Sequence, residues 1–552
     1  MQGIMSDAPL SLTHVFHRAE RLFGAKQIVT ATATGRERTT YADWARRTRL
    51  LAGAFETLGL APDARVGTFA WNTAKHLELY YAAPCSGRVC HTLNIRLFPE
   101  QVTYAVNHAE DEIVFVDRSL LPIFLPLVPT FTTVKHLVVM DDGAEHEVPT
   151  DDDRWIDYEE LLAGAQPAEF HAHDEHRAAG MCYTSGTTGH PKGVVYSHRS
   201  QVLHGLMCMT ADALAISERD TVLPVVPMFH ANAWGLGHSS VMAGANYVMP
   251  GPDLSAPAIA DLLESERVTV AAGVPTIWQG VAAELDGRDL SGLREIACGG
   301  SAVPKSLSEL YREKLGVSIH QAWGMTETSP IASVATMKSA LGEQHDPGLA
   351  DVRATAGVPV PLVDLRIVDP DDGTEQPWDG EARGELQASG PWIAAGYYND
   401  ERSGDSFTLD GWLKTGDIAT IDPEGYVRLV DRTKDLIKSG GEWISSVELE
   451  NEIMAHPQVR EAAVIGVPDE RWGERPLACV VPVSEGAVTA DEIRTHLDGL
   501  IPKWWMPERI ELIDEVPKTS VGKFSKKDLR ARYGPPAGQV GGATAPRQDG
   551  SA

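Results

Sequence analysis

The sequence predicts an α/β protein, with a large N-terminal domain of helix-flanked sheets and a smaller α+β domain after it. Three observations predict this. Between about residues 40 and 430, helix-like stretches alternate with short apolar strand candidates, the pattern of helices packed on both faces of mostly parallel sheets. The alternation changes character after Gly425-Tyr-Val-Arg-Leu-Val-Asp-Arg432, where a strand candidate runs into charged residues. The chain of 552 residues also far exceeds the roughly 250–300 at which a single core stops growing, so two packed units are required and three are expected.

The elements follow in order. Val66-Gly-Thr-Phe-Ala70 leads into an amphipathic stretch at 74–83 and forms one strand–helix unit. The β-branched run from Val268 ends at Gly273 and Pro275, before a helix-like stretch at 276–285. Beyond the change in pattern, a helix is predicted at 446–455, opening on Ser-Val-Glu-Leu-Glu, with strands at 461–467 and 477–481 and a last helix at 526–533. The domains are therefore 1–431 and 432–533. Residues 534–552 are rich in Gly, Pro, Ala and Gln; they can bury too little apolar surface to offset ordering, so a disordered tail is predicted.

Composition excludes several classes. No apolar run approaches the roughly 18–20 residues of a membrane span. The start, Met1-Gln-Gly-Ile-Met5, has neither the basic opening nor the apolar stretch of a secretory signal, and leaves Met1 and Met5 both open as the first residue. A cytoplasmic protein is expected. The six cysteines show no CxxC or zinc-ligand spacing and are read as free thiols. A net charge of -29, from 48 Lys+Arg against 77 Asp+Glu, repels polyanions and disfavours binding to nucleic acid or an anionic membrane. Any site for a phosphorylated substrate must then be locally positive, so lysines set among glycines become informative.

One loop has that make-up: Tyr183-Thr-Ser-Gly-Thr-Thr-Gly-His-Pro-Lys-Gly193. Met181-Cys-Tyr183 reads as the end of one buried strand and Gly193-Val-Val-Tyr196 as the start of another, so the loop joins strand to strand. Glycines let backbone N–H groups approach an anion, the hydroxyls of Thr184, Ser185, Thr187 and Thr188 donate further bonds, and Lys192 supplies charge. This is a phosphate cradle. It is not the P-loop that opens a helix, because Lys192 is followed by Gly193 and Val194.

With this loop and six further motifs in order, the chain resembles the adenylate-forming superfamily of acyl-CoA synthetases, nonribosomal-peptide adenylation domains and luciferases. The motifs are Pro227-Met-Phe-His-Ala-Asn-Ala-Trp-Gly235, Gly299-Gly-Ser-Ala302, Gln321-Ala-Trp-Gly-Met-Thr-Glu327, Leu413-Lys-Thr-Gly-Asp417, Asp431-Arg-Thr-Lys-Asp-Leu-Ile-Lys438 and Val521-Gly-Lys523. The resemblance spans about residues 10–533. It is nearest to bacterial fatty acyl-CoA synthetases and methylmercaptopropionate-CoA ligases, on the pattern His-x-Asn-x-Trp-Gly and on Trp472-Gly-Glu-Arg-Pro476.

What the resemblance implies is specific. The activity would be ATP-dependent conversion of a medium- or long-chain fatty acid to its adenylate and then to the coenzyme A thioester. A short acid such as 3-methylmercaptopropionate is the alternative, and a nucleotide-binding protein without turnover is the reading from another class. Lys523, Glu327 and His230 would be catalytic, with Lys523 bridging the carboxylate and the α-phosphate and Glu327 holding magnesium. Thr184, Ser185, Gly186, Thr187, Thr188 and Lys192 would hold phosphates. Gly300, Ser301, Ala302, Trp323, Gly324, Met325 and Thr326 would wall the nucleotide, and Asp417 and Arg432 would bind the ribose. His230 and Trp234 would border the acyl pocket, sharing one face if that stretch is helical. The second domain would be mobile about Lys434, with Lys438, Ser439, Gly440, Gly441, Glu442 and Trp443 along the coenzyme A channel. A homodimer is expected from the same resemblance.

Overall fold

A strand apolar on both faces must sit in a sheet covered on both sides, and Arg65–Phe69 is buried at four of its five positions. In the computed structural model, which describes residues 1, 3–184, 190–440, 442–469, 471–518 and 524–534, it lies at the centre of a seven-stranded sheet. Across that sheet run Trp155–Asp157, His136–Met140, Asp111–Asp117, Arg65–Phe69, Val89–Thr92, Ala178–Tyr183 and Gly193–Ser197. All neighbours are parallel except the last pair. Thr73 caps the helix Ala74–Cys85 by accepting from His76 N, and that helix covers one face.

A nine-stranded sheet stands beside it in sequence order. Its parallel centre contains Thr221–Pro224, Val270–Gly273, Glu295–Gly299 and Ile319–Gly324. The helix after Val270–Gly273 starts at Pro275, the N1 position proline favours, and ends at Val281, earlier than its periodicity predicts, passing into a 3-10 turn at Ala282–Glu284. Its Trp278 is fully buried, and the indole N–H donates to Gly273 O at 3.2 Å. Burying a side chain of this area contributes about 4–6 kcal/mol.

The chain divides into two compact units, residues 1–429 and a second beginning at Val430. The second unit is built on the hairpin Val459–Asp469 and Gly473–Pro482, with Arg509–Leu512 added in parallel. Ser446–Met454 buries Leu449 and Ile453 on one side of the sheet, and Lys526–Tyr533 sets Leu529 against Ile465, Leu477 and Cys479 on the other. Ions tie these helices to the first residues of the unit. Lys526 Nζ pairs with Glu450 Oε1 at 2.8 Å and bonds Ser446 Oγ, while Asp431 Oδ2 accepts from Ser446 N at 2.7 Å. Arg530 pairs with Asp435 at 2.8 Å. All six cysteines are buried free thiols. Among the described residues no helix is long and apolar enough to cross a membrane.

Candidate active site

In open α/β sheets ligands bind beyond the carboxyl ends of the strands, and three of the predicted motifs begin there. Glu295–Gly299 ends at the Gly300-Ser301-Ala302 stretch, Ile319–Gly324 ends at Met325-Thr326-Glu327, and Ala178–Tyr183 ends at the predicted phosphate loop. The close approach at the second is why Gly324 has no side chain. A Cβ there would lie 1.7 Å from Pro330 O.

The loop leaves and re-enters the sheet as an antiparallel pair, with Tyr183 opposite Gly193. Its stem is closed by Thr184 N donating to Lys192 O at 2.9 Å and by Lys192 N donating to Thr184 Oγ1 at 3.1 Å. Ser185, Gly186, Thr187 and Thr188 lie outside the described residues, as do Gly441 and Lys523. The Lys192 ammonium donates to Ser406 Oγ at 3.1 Å and sits 4.3 Å from the centroid of the Tyr397 ring. The Tyr397 hydroxyl in turn donates to Glu327 Oε1 at 2.7 Å. Burial, and then the Glu327 carboxylate, push the Tyr397 phenol well above its ordinary pKa. It therefore stays a proton donor.

Glu327 sits in the 3-10 turn Thr326–Thr328 and is 5% exposed. Its carbonyl accepts from Ala394 N at 2.7 Å, and the Thr326 carbonyl accepts from Tyr196 Oη at 2.8 Å. Among the described residues no group of three or more His, Cys, Asp or Glu side chains is placed to hold a metal. Glu327 thus offers a single carboxylate, which suits a cation such as magnesium that keeps its waters and takes other ligands from phosphate.

Trp323 and Asp417 meet directly, indole Nε1 to carboxylate Oδ2, at 2.9 Å. Both are buried. A carboxylate offers about four acceptor sites, of which the indole takes one. Gly300 has a φ of 85°, and Val303 N just beyond it donates to Gln321 Oε1 at 2.8 Å, fixing the stretch against the neighbouring strand.

The stretch after His230 is not an ordinary right-handed helix. Ala231, Asn232, Ala233 and Trp234 have φ of 43, 54, 49 and 56°, a left-handed turn closed by Gly235 at 74°. The hand of the turn is thus opposite to that of the ordinary helix on which the shared face of His230 and Trp234 was conditional. Left-handed backbone costs about 1–2 kcal/mol per non-glycine residue, which burial of Trp234, at about 4–6 kcal/mol for an aromatic of its area, offsets in large part. The surroundings also impose the turn. His204 lies so close beneath Gly235 that a Cβ would sit 2.3 Å from its Nδ1, and Cys182 Sγ donates to Asn232 Oδ1 at 3.3 Å. Trp234 packs over Gly299, next to the predicted nucleotide wall.

Arg432, Lys434 and the 438–443 stretch belong to the second unit. Lys438 lies opposite Trp443 and Ser439 opposite Glu442 in a short antiparallel pair turned by Gly440 at φ 62°. Lys438 and Glu442 are exposed and Ser439 is buried. Sequence reasoning missed Tyr397 and Ser406, which stand in irregular or very short elements with no periodicity to mark them.

These features set the lysine of the predicted phosphate loop and a buried carboxylate against one tyrosine. The AMP-binding enzyme family profile matches residues 16–398, and that of the AMP-binding enzyme C-terminal domain matches 448–523. The chain belongs to this family and is an AMP-forming acid–CoA ligase. It is 46% identical over 535 residues to a long-chain-fatty-acid–CoA ligase of Thermus thermophilus, covering 96% of each chain. It is 43% identical over 545 residues to a 3-methylmercaptopropionyl-CoA ligase of Ruegeria lacuscaerulensis, covering 97% of this chain and 99% of the other. Among solved structures, an anthranilate CoA ligase in complex with anthranoyl-AMP superposes with a TM-score of 0.84 at 25% identity, covering 96% of this chain and 99% of that one.

Proposed function

We propose that this ligase activates a medium- or long-chain fatty acid, joining it first to AMP and then to coenzyme A. One observation carries the substrate class. The turn at 231–235, which would border the acid, contains no ionisable residue and sets buried Ala231, Ala233 and Trp234 into the apolar core. An amino acid would bring a charged ammonium to such a wall, at a desolvation cost of several kcal/mol. The Thermus relative supports the same reading. The Ruegeria relative favours a second one, a short thioether acid.

The chemistry follows from the residues. A carboxylate is already ionised near pH 7 and needs no base. Its oxygen bonds to the α-phosphorus as the bond to pyrophosphate breaks, and negative charge gathers on the departing oxygens. Lys192 and Lys523 would neutralise that charge, while the hydroxyls of Thr184 to Thr188 and the loop N–H groups bind phosphate. Glu327 would hold magnesium, which when bound adds positive charge at the phosphate oxygens. Asp417, oriented by Trp323, would accept from the ribose, with Arg432 as a further contact, and the 300–302 and 323–326 stretches would wall the base. The coenzyme A thiolate then bonds to the acyl carbonyl carbon and AMP leaves, with Lys434 as the pivot and the 438–443 stretch along the thiol's path. Six unpaired thiols suit a reducing compartment, so the cytoplasm is the proposed location. The homodimer rests on family resemblance.

Steady-state pyrophosphate release with octanoate, palmitate, 3-methylmercaptopropionate and phenylalanine tests the substrate class. The fatty acids should lead in kcat/KM by roughly tenfold or more, since each methylene in an apolar pocket contributes about that much. A lead for the thioether acid selects the second reading, and turnover of phenylalanine alone refutes both.

A further inference from the structure

The segment at 394–398 joins the two phosphate-handling motifs. At one end Ala394 N donates to Glu327 O at 2.7 Å, and at the other Tyr398 N donates to Gly193 O at 2.8 Å, at the foot of the loop. Between these anchors Tyr397 faces both charges. Its hydroxyl donates to Glu327 Oε1 at 2.7 Å, and its ring lies 4.3 Å from Lys192 Nζ. Its own backbone is held, with Tyr397 N donating to Ser403 Oγ at 2.9 Å, and Phe407 packs on the ring at 5.7 Å.

We infer that Tyr397 is a positioning residue that sets the anion and the cation of the phosphate site at once. The hydroxyl fixes the rotation of the Glu327 carboxylate, so that Oε1 is occupied and Oε2 is the oxygen left to face a cation. The ring face holds the Lys192 ammonium by cation–π attraction, strongest where water is excluded, and one of its N–H groups donates to Ser406 Oγ. The phenol thus stands between opposite charges and lets each point toward a phosphate. The inference rests on the proposed roles of Glu327 and Lys192.

Two substitutions separate the two functions of the side chain. Tyr397→Phe keeps the ring under Lys192 and removes only the hydroxyl, whereas Tyr397→Leu removes both. Calorimetric titration of the full chain with ATP, in EDTA and across a magnesium series, reads them apart from turnover. For Tyr397→Phe the magnesium concentration giving half-maximal enhancement of ATP affinity should rise roughly tenfold, the size expected for a hydrogen bond to a charged group. Its affinity for metal-free ATP should stay within about twofold of the parent. Tyr397→Leu should also lose metal-free affinity, by roughly threefold to tenfold. A magnesium series unchanged in Tyr397→Phe, with Glu327→Gln shifted, overturns the inference alone. If Glu327→Gln is also unshifted, the assignment of Glu327 falls and the inference falls with it. Equal losses of metal-free and magnesium-dependent affinity in both variants would mark Tyr397 as a fold residue only and contradict it.

Discussion

Trp323 Nε1 donates to Asp417 Oδ2 at 2.9 Å, joining residues 94 apart in the chain. The bond couples the end of a parallel strand in the nine-stranded sheet to a strand of the four-stranded sheet. It helps to set the orientation of the Asp417 carboxylate. Trp323→Phe keeps an apolar ring and deletes the donor. A hydrogen bond to a charged acceptor is worth about 1.5–3 kcal/mol, so the KM for ATP should rise roughly tenfold while the KM for the acid changes little. Steady-state kinetics with each substrate varied in turn measures both, and an unchanged KM for ATP would remove Asp417 from the ribose site.

On the proposed roles of Lys523 and Lys434, the two half-reactions would make different demands on the second domain. Lys523→Ala should cripple formation of the acyl-adenylate and largely spare thioester formation from supplied acyl-adenylate. Lys434→Pro should do the reverse, because proline fixes φ at the proposed pivot. Pyrophosphate release and acyl-CoA formation, assayed separately, check the pair. Equal loss of both half-reactions in Lys434→Pro would count against a pivot there.

Lys526 is a mostly buried cation with two carboxylates against it. Burial lowers its pKa, but Glu450 and Asp431 outweigh burial and raise it, so the amine is charged. Lys526→Met would leave both carboxylates without their cation, and breaking a buried pair in this way costs about 3–5 kcal/mol. Urea denaturation should show that loss, with Lys526→Arg recovering part of it. A midpoint unchanged in Lys526→Met would mean that the network contributes nothing to stability.

Buried histidines make acid the more damaging direction for part of the core. Burial above all pushes His204 and His238 down to about 3 and His76 and His198 down to about 4. A depressed folded-state pKa contributes stability that is whole above the unfolded value of about 6.5 and is lost as pH falls toward 3–4. Buried carboxylates raised by desolvation, such as Asp117 and Glu78, act with the opposite sign, so a single substitution is the cleaner measure. His238 lies against Tyr80 and Tyr81, and its buried Nδ1 has no hydrogen-bond partner among the described residues. His238→Phe should therefore gain on the parent by about 1.4 kcal/mol for each pH unit below 6.5. Urea midpoints at pH 7.5 and 5 test this, and a difference independent of pH would contradict it.

The sequence made the parallel α/β units legible wherever β-branched runs ended at glycine or proline, as at Val270–Gly273 before Pro275. It also singled out the stretch 183–193 as a candidate phosphate cradle, because glycines, hydroxyls and a lysine sit within one short stretch. The left-handed turn at Ala231–Trp234 was hidden, since nothing in Ala-Asn-Ala-Trp signals positive φ; His204 and Cys182, far off in sequence, impose it from below. Tyr397 was hidden for a related reason. Its partners Glu327 and Lys192 precede it by 70 and 205 residues, and only the folded segment brings the three together.

The most direct test of the account is a single turnover in two stages. Enzyme mixed with ATP, magnesium and palmitate but no coenzyme A should release about one pyrophosphate per site and retain palmitoyl-AMP, since the first bond made is to the α-phosphorus. Adding coenzyme A should then convert that adenylate to palmitoyl-CoA and AMP without further pyrophosphate. Release of ADP and phosphate, or of pyrophosphate only after coenzyme A is added, would contradict the account.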